Sequence, residues 1–387
     1  MDIDYIRGEI PACRDLVYLN TGWSGPSPTV VVNAIKDRLE YESYSGPTSP
    51  PVQESAREID AATILSVADL LGVSSEEVCL TQNTTDGLNI VVNGLQWKDG
   101  DEIITFGPEH SSVLMPALSL RRRLGIEVKI LPLSADEDPA LIVDRVRDAI
   151  TGRTKLLLCS HIQYTSGLRM PVEGLRRVTK ERGVRMLLDG AQTGGHIALD
   201  LRAMDCDFYS IPSQKWLLGP DGVGALYIKH DVLPEVIPVR VSGRAALSHD
   251  DIGNYEPNDN EMRKFQLTTH SSPLAAGFNE AIKFVLQNGM SEVEARAVHL
   301  SNELKQSLSD IDGVTVTSSR RQDIATGLTA FRIRGLSPDE GVRYLWEHHN
   351  IVSRQVREIE SIRVSTHFFN SDGDISTLID AVGGMAR

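Results

Sequence analysis

No apolar run in this sequence approaches the roughly 20 residues that a helix needs to span a bilayer. The opening Met1-Asp-Ile-Asp-Tyr-Ile-Arg7 is too polar and acidic for a secretory signal, so a cytoplasmic location is expected. Cysteine is scarce. The four present, Cys13, Cys79, Cys159 and Cys206, are scattered, without a Cys-x-x-Cys pair or a regular framework, which excludes a disulfide scaffold and predicts reduced thiols. Cys79 and Cys159 fall in apolar runs and read as small core residues. Positive charge is in deficit, 39 Lys and Arg against 53 Asp and Glu, for a formal charge of -14. That excess argues against nucleic acid or an anionic membrane as a main partner. There is no internal repeat and no low-complexity tract. His348-His349 has no Cys or carboxylate cluster around it, so no metal site is expected. Gly219-Pro-Asp-Gly-Val-Gly224 superficially matches a dinucleotide-binding glycine loop, but it precedes a strand instead of opening a helix.

What the chain does have is a regular alternation. Short apolar runs at 78–81, 102–106, 126–131, 155–160 and 185–189 read as strands, with helical periodicity at 85–92, 112–124, 140–150 and 172–182 between them. Continuous apolar strands alternating with helices predict an α/β fold with a mostly parallel sheet buried on both faces, and place functional residues at the strands' carboxyl ends. Two amphipathic helices are expected before this region, at 29–41 and 54–71, joined by a Ser/Gly/Pro-rich surface loop or lid at 43–51. Beyond 228 the pattern becomes α+β, with a mobile acidic loop expected at 242–262. At 387 residues the chain exceeds what one core usually serves. The expected division is a large domain over 16–265 and a smaller one built from 1–15 and 266–387.

The strand ends carry the chemistry. Gln82-Asn-Thr-Thr-Asp-Gly-Leu-Asn89 opens a helix with hydroxyls and free backbone amides, a phosphate site or a plain N-cap by Thr84 or Thr85. Gly107-Pro-Glu-His-Ser-Ser112 brings His110 to the same edge, as a ligand contact or a structural imidazole. Asp189 ends an apolar strand and needs a cationic partner if buried, or else caps the turn at Gly190-Ala191. In Ser210-Ile-Pro-Ser-Gln-Lys-Trp-Leu-Leu-Gly219 a single lysine, Lys215, sits between two apolar strands. It either snorkels to water or is buried with a lowered pKa, as an amine that forms a Schiff base requires. An amine, a carboxylate, a flat imidazole and a hydroxyl-rich helix start together match the needs of pyridoxal 5'-phosphate.

On these residues the sequence resembles the class V aminotransferase-like branch of fold type I pyridoxal phosphate enzymes, which includes cysteine desulfurases, cystine lyases, kynureninase and isopenicillin N epimerase-like enzymes. The resemblance runs from about Tyr18 to the carboxyl terminus. It implies a large domain with a mostly parallel central sheet and a smaller α+β C-terminal domain. Lys215 would be the Schiff-base lysine, Asp189 the partner of the ring nitrogen, Gln192 the donor to the ring hydroxyl and His110 the stacked residue that assists proton transfer. Thr84, Thr85 and Gln214 would contact the phosphate, together with Thr269 of a neighbouring subunit, which implies a homodimer. Arg363, in Ser361-Ile-Arg-Val-Ser365, would clamp the substrate carboxylate, with Thr165 and Trp23 also at the substrate.

Three departures stand out. Ser318-Ser-Arg-Arg-Gln-Asp-Ile-Ala-Thr-Gly327 lacks the nucleophilic Cys that desulfurases carry. Gln214 replaces the His that precedes the lysine in many relatives, and Thr165-Ser-Gly167 replaces Asn-Thr-Gly. The expected activity is β-elimination of a carbon–sulfur bond in a cysteine-derived amino acid. The alternatives are an aminotransferase, an epimerase, a decarboxylation-linked deaminase, or a scaffold of this fold kept for binding alone.

Overall fold

A computed structural model describes residues 1–387. The chain begins with α1 (Ile3–Glu9), a short strand β1 (Val17–Tyr18) and two long helices, α2 (Thr29–Ser45) and α3 (Pro50–Leu71). The expected surface loop or lid at 43–51 shrinks to residues 46–49, because the helices take up the rest of it. Ser49 stands at the N-cap and Pro50 and Pro51 open α3. Proline at a helix start loses nothing, since its missing N–H would be unpaired there anyway, so these prolines begin a helix instead of marking a loop.

The alternation then follows as β2 (Val78–Thr81), α4 (Thr84–Gly94), β3 (Glu102–Phe106), α5 (Ser111–Leu124), β4 (Glu127–Leu131) and α6 (Pro139–Ala149). It continues with β5 (Thr154–Ser160), α7 (Val172–Glu181), β6 (Arg185–Asp189), β7 (Phe208–Pro212) and β8 (Gly224–Ile228). These strands form one sheet in the order β2-β8-β7-β6-β5-β3-β4. Only β8 runs against its neighbours. Period-two alternation sends Ile104, Leu157, Leu188 and Ile211 to one face and Ile103, Leu156, Leu187 and Phe208 to the other, all with no exposed surface. Cys79 and Cys159 are buried among them, and all four cysteines are unpaired.

Residues 242–262 are not the loop expected from their acidic composition. Strands β9 (Ala246–His249) and β10 (Tyr255–Pro257) pair there as an antiparallel hairpin. The turn is built by Asp250, whose carboxylate accepts from the backbone of Ile252 and Asn254, so the acidic residues shape a turn.

Helix α8 (Ser272–Leu286) places Phe278, Ile282 and Val285 in the core on one face of the large sheet. After it come α9 (Met290–Ser309), β11 (Val314–Val316), β12 (Leu328–Ile333), α10 (Pro338–His349), β13 (Ile351–Val352), β14 (Arg354–Val356), β15 (Ser361–Ser365) and α11 (Asp372–Met385). An antiparallel sheet in the order β11-β12-β15-β14 packs with α9 and α11 around Leu300, Leu304, Phe331, Val364 and Leu378. The chain's two ends meet here. β1 pairs with β13, Asn20 bridges to Ser365, and Arg7 binds Asp374 at 2.7 Å.

Candidate active site

A cleft of about 350 Å³ opens at the carboxyl ends of the parallel strands. The topology gathers it: Ser160 ends β5, Asp189 ends β6, Lys215 follows β7, His110 follows β3, and Thr84 and Thr85 open α4 after β2. The strand ends converge here because every parallel strand points its carboxyl end to this edge.

Lys215 is half-buried and is the only lysine in the cleft wall. Burial lowers its pKa from 10.5 to about 8, against the opposing pull of Asp189. Asp189 is 3% exposed. Burial pushes its carboxyl above the ordinary value, while the charge of Lys215 and a hydrogen bond from the Ala191 backbone at 2.8 Å pull it down. Both sequence-based readings of Asp189 therefore hold at once: it caps the turn after β6 and it faces a cation.

His110 caps α5. Its Nδ1 accepts from the Ser112 backbone N–H at 3.1 Å, so the ring proton sits on Nε2. Burial, with the charges of Lys215 and Arg354, lowers its pKa and keeps the ring neutral. Gln192 spans the wall, donating from Nε2 to the Gly22 carbonyl at 2.8 Å and accepting at Oε1 from the indole of Trp216 at 2.8 Å. Thr84 Oγ1 and Gln214 Oε1 are buried without any partner. Buried polar atoms are almost always paired, so unpaired ones facing a cleft point to a ligand.

The Lys215 loop is clamped by backbone on several sides. The Gly25 N–H donates to the Gln214 carbonyl at 2.6 Å. A Cβ on Gly25 would stand 2.5 Å from the Lys215 carbonyl oxygen, and one on Gly195 2.6 Å from that of Trp216. Leu218 adopts φ of 61°, a left-handed conformation that costs a branched side chain of order 1–3 kcal/mol. Gly25→Ala is expected to lower stability by about 1–3 kcal/mol, read as a reduced denaturation midpoint. Because the clash falls on main chain, it should also weaken cofactor retention.

The structure thus brings Thr84, Thr85, His110, Asp189, Gln192, Gln214, Lys215 and Trp23 into one wall. Three expected residues do not line this cleft, although Arg363 is close enough for its charge to act on His110 and Lys215. Arg363 is fully buried, one Nη bonded to the Tyr164 carbonyl at 2.7 Å and its Nε and other Nη unpaired. Burial lowers its pKa to about 9. Thr165 is buried outside the wall, and its neighbour Tyr164 takes the wall position. Thr269 is exposed and lines a second cleft of about 340 Å³ that shares Asn83 with the first.

Sequence reasoning missed Arg354 and Glu109. Arg354 lines the cleft with its guanidinium 4.8 Å from the Trp23 ring centroid. It lies on a three-residue strand, too short for any periodicity to mark. Glu109 is buried beside His110, bonded to the Ser160 backbone and to Gln163 at 2.9 and 2.7 Å. Burial raises its pKa to about 7. The surrounding Gly107-Pro-Glu-His-Ser-Ser112 gives no sign of that burial.

Comparison with known proteins bears on the family and the fold. The family model "Aminotransferase class-V" matches residues 17–378. A "probable cysteine desulfurase" of Methanothermobacter thermautotrophicus is 29% identical, covering 100% of this chain and 99% of that protein. The isopenicillin N epimerase of Streptomyces clavuligerus is 28% identical over 99% of this chain and 98% of its own. Among solved structures, the cystine C-S lyase C-DES in complex with its product cysteine persulfide superposes with a TM-score of 0.91 at 26% identity, covering 97% and 99% of the two chains. A C-DES mutant with glycine covalently linked to pyridoxal phosphate gives a TM-score of 0.92 at 26% identity, covering 97% and 98%.

Proposed function

The chain belongs to the class-V aminotransferase family, and from that premise we propose that it is a pyridoxal phosphate-dependent carbon–sulfur β-lyase acting on a cysteine-derived amino acid. The observation that carries this reading is the amine of Lys215, its pKa lowered to about 8, sharing one cleft with the buried carboxylate of Asp189. The cofactor's needs are met by groups already in place: a donor at Gln192, a flat neutral imidazole at His110, and an unpaired hydroxyl at the start of α4.

Pyridoxal phosphate, when bound, supplies an aldehyde for an amine and a ring that absorbs negative charge from the substrate α-carbon. The chain's own residues do the rest. Asp189 would hold a proton on the ring nitrogen, the carboxylate and the protonated ring stabilising each other's charge. Thr84, Thr85, Gln214 and the free amides of α4 take the phosphate. Lys215, uncharged, lifts the α-proton, and the sulfur departs with the bonding electrons, with the Nε2 proton of His110 available to it. Residues 318–327 contain no cysteine, and Ser318 is tied to the Ser166 carbonyl at 2.6 Å, so the sulfur leaves on a small molecule. Arg354 at the mouth and Arg363 deeper in provide two guanidiniums, which suits a substrate with two carboxylates such as cystine.

We place the enzyme in the cytoplasm as a homodimer. The four unpaired cysteines fit a reducing compartment. Exposed Val239 and Val241 flank Arg240 in the wall of the second cleft, where Thr269 would meet a partner's phosphate site.

With cystine and S-substituted cysteines, pyruvate should appear in equal amounts with thiol or persulfide. Exchange of the α-proton without either product would overturn the lyase reading. Lys215 and His110 both border the cleft as groups able to exchange a proton, so that outcome would favour epimerisation. A keto acid formed in amounts matching the enzyme, with the pyridoxamine form of the cofactor, would favour transamination.

A further inference from the structure

Trp216 has no exposed surface and does not line the cleft, yet it is bonded to the one carboxamide that does so between Gly22 and the Lys215 loop. Its indole Nε1–H donates to Gln192 Oε1 at 2.8 Å, and Gln192 Nε2 donates to the Gly22 carbonyl at 2.8 Å. An indole nitrogen can only donate and a carbonyl can only accept. Turning the carboxamide over would set two donors against each other at Trp216 and two acceptors against each other at Gly22. The orientation is therefore fixed, and the second N–H of Gln192 is left for the cleft.

Trp216 is itself immobilised. Its ring stacks on His196 with centroids 3.6 Å apart and planes 5° apart, and His367 meets its edge at 5.1 Å. The His367 Nε2–H donates to the Trp216 carbonyl at 2.8 Å. His196 donates from Nδ1 to the Gln192 carbonyl and accepts at Nε2 from the Gly327 N–H, each at 2.8 Å. Every proton in this cluster has one possible place. Burial holds both imidazoles neutral, with pKa values lowered to about 3, so the cluster keeps its orientation across the working pH range.

We propose that Trp216 is a positioning residue that locks the Gln192 carboxamide, the donor expected for the ring hydroxyl, so that it presents only an N–H to the cleft. This rests on the functional reading above. A donor fixed there favours the deprotonated oxygen of a hydroxypyridine aldehyde and so sets the protonation state of the bound chromophore.

Trp216→Phe keeps a stacking ring and removes the N–H. In the pyridoxal phosphate holoenzyme, the pH midpoint of the visible absorption band should move by about one unit, with kcat down roughly tenfold and KM little changed. Gln192→Met should move the midpoint at least as far, and adding Trp216→Phe to it should move it no further, because the two act in series. A purely structural Trp216 would lower the melting temperature and leave the midpoint where it is, and that result overturns the proposal. Should Trp216→Phe not fold, benzothienylalanine at position 216 keeps the bicyclic shape without the N–H and must give the same shift. The two readings can fail separately. If the wild type takes up no pyridoxal phosphate, the functional reading falls. A crystal structure of the apo-form Trp216→Phe protein then decides the positioning, which requires a rotated Gln192 carboxamide and is overturned by an unmoved one.

Discussion

Lys215→Ala should reduce turnover by roughly 10³-fold or more and abolish the visible absorption band of the pyridoxal phosphate complex, while the thermal midpoint changes little. No other lysine borders the cleft, so no second amine can substitute. The residue is half-buried and makes no hydrogen bond whose loss would unfold the loop, which Gly25, Gly195 and Ser213 hold through main-chain contacts. The pH dependence follows from the lowered pKa. Only the uncharged amine attacks an aldehyde, and burial moves its appearance from 10.5 to about 8. Capture of pyridoxal phosphate by the apoprotein should therefore quicken as pH rises and level off just above 8. A rate still climbing toward 10.5 in stopped-flow traces would mean that Lys215 is an ordinary solvated lysine.

Asp189→Asn should lower turnover by roughly 10²–10³-fold, since removing one member of a buried charge pair costs about 3–5 kcal/mol and each tenfold in rate is about 1.4 kcal/mol. The carboxamide fills the same space and still accepts from the Ala191 N–H. The variant should therefore fold and still capture the aldehyde, losing the charge alone. It carries a second signature. Asp189 raises the pKa of Lys215, so without that anion the amine deprotonates at lower pH, and the capture plateau should be reached earlier than in the wild type. A variant with unchanged turnover, or with a plateau moved upward, would remove Asp189 from the role given to it.

Much of this was readable in the residues themselves. The parallel strands were legible because burial on both faces writes continuous apolar runs such as Met186-Leu-Leu-Asp189. The strand-end groups followed from the rule that parallel sheets bind at their carboxyl edge. What escaped was geometry that has no sequence period. Arg354 sits on a strand of three residues, and Glu109 is revealed only by the burial of its carboxyl. Tyr164 takes the wall and Thr165 does not, a one-residue change of direction in an irregular turn that no pattern encodes. The two misread loops share a cause. By composition Pro50-Pro51 and the run around Asp250 resemble loops, whereas the prolines open a helix behind Ser49 and Asp250 shapes a hairpin turn.

The pairing of β1 with β13, and of Asn20 with Ser365, also bears on how the molecule comes into being. Residues 17–20 lead into Trp23 at the mouth and Gly25 beside the Lys215 carbonyl, yet the backbone partners of 17–20 are residues 350–365. Contacts of such sequence separation form slowly, and a chain emerging from the ribosome cannot make them until residues 350–365 are out. The parallel sheet, with Asp189 and Lys215 on it, is finished first, and its catalytic edge stays uncovered through synthesis. Closure of the mouth thus follows completion of the sheet, and cofactor capture by nascent chains should lag behind it.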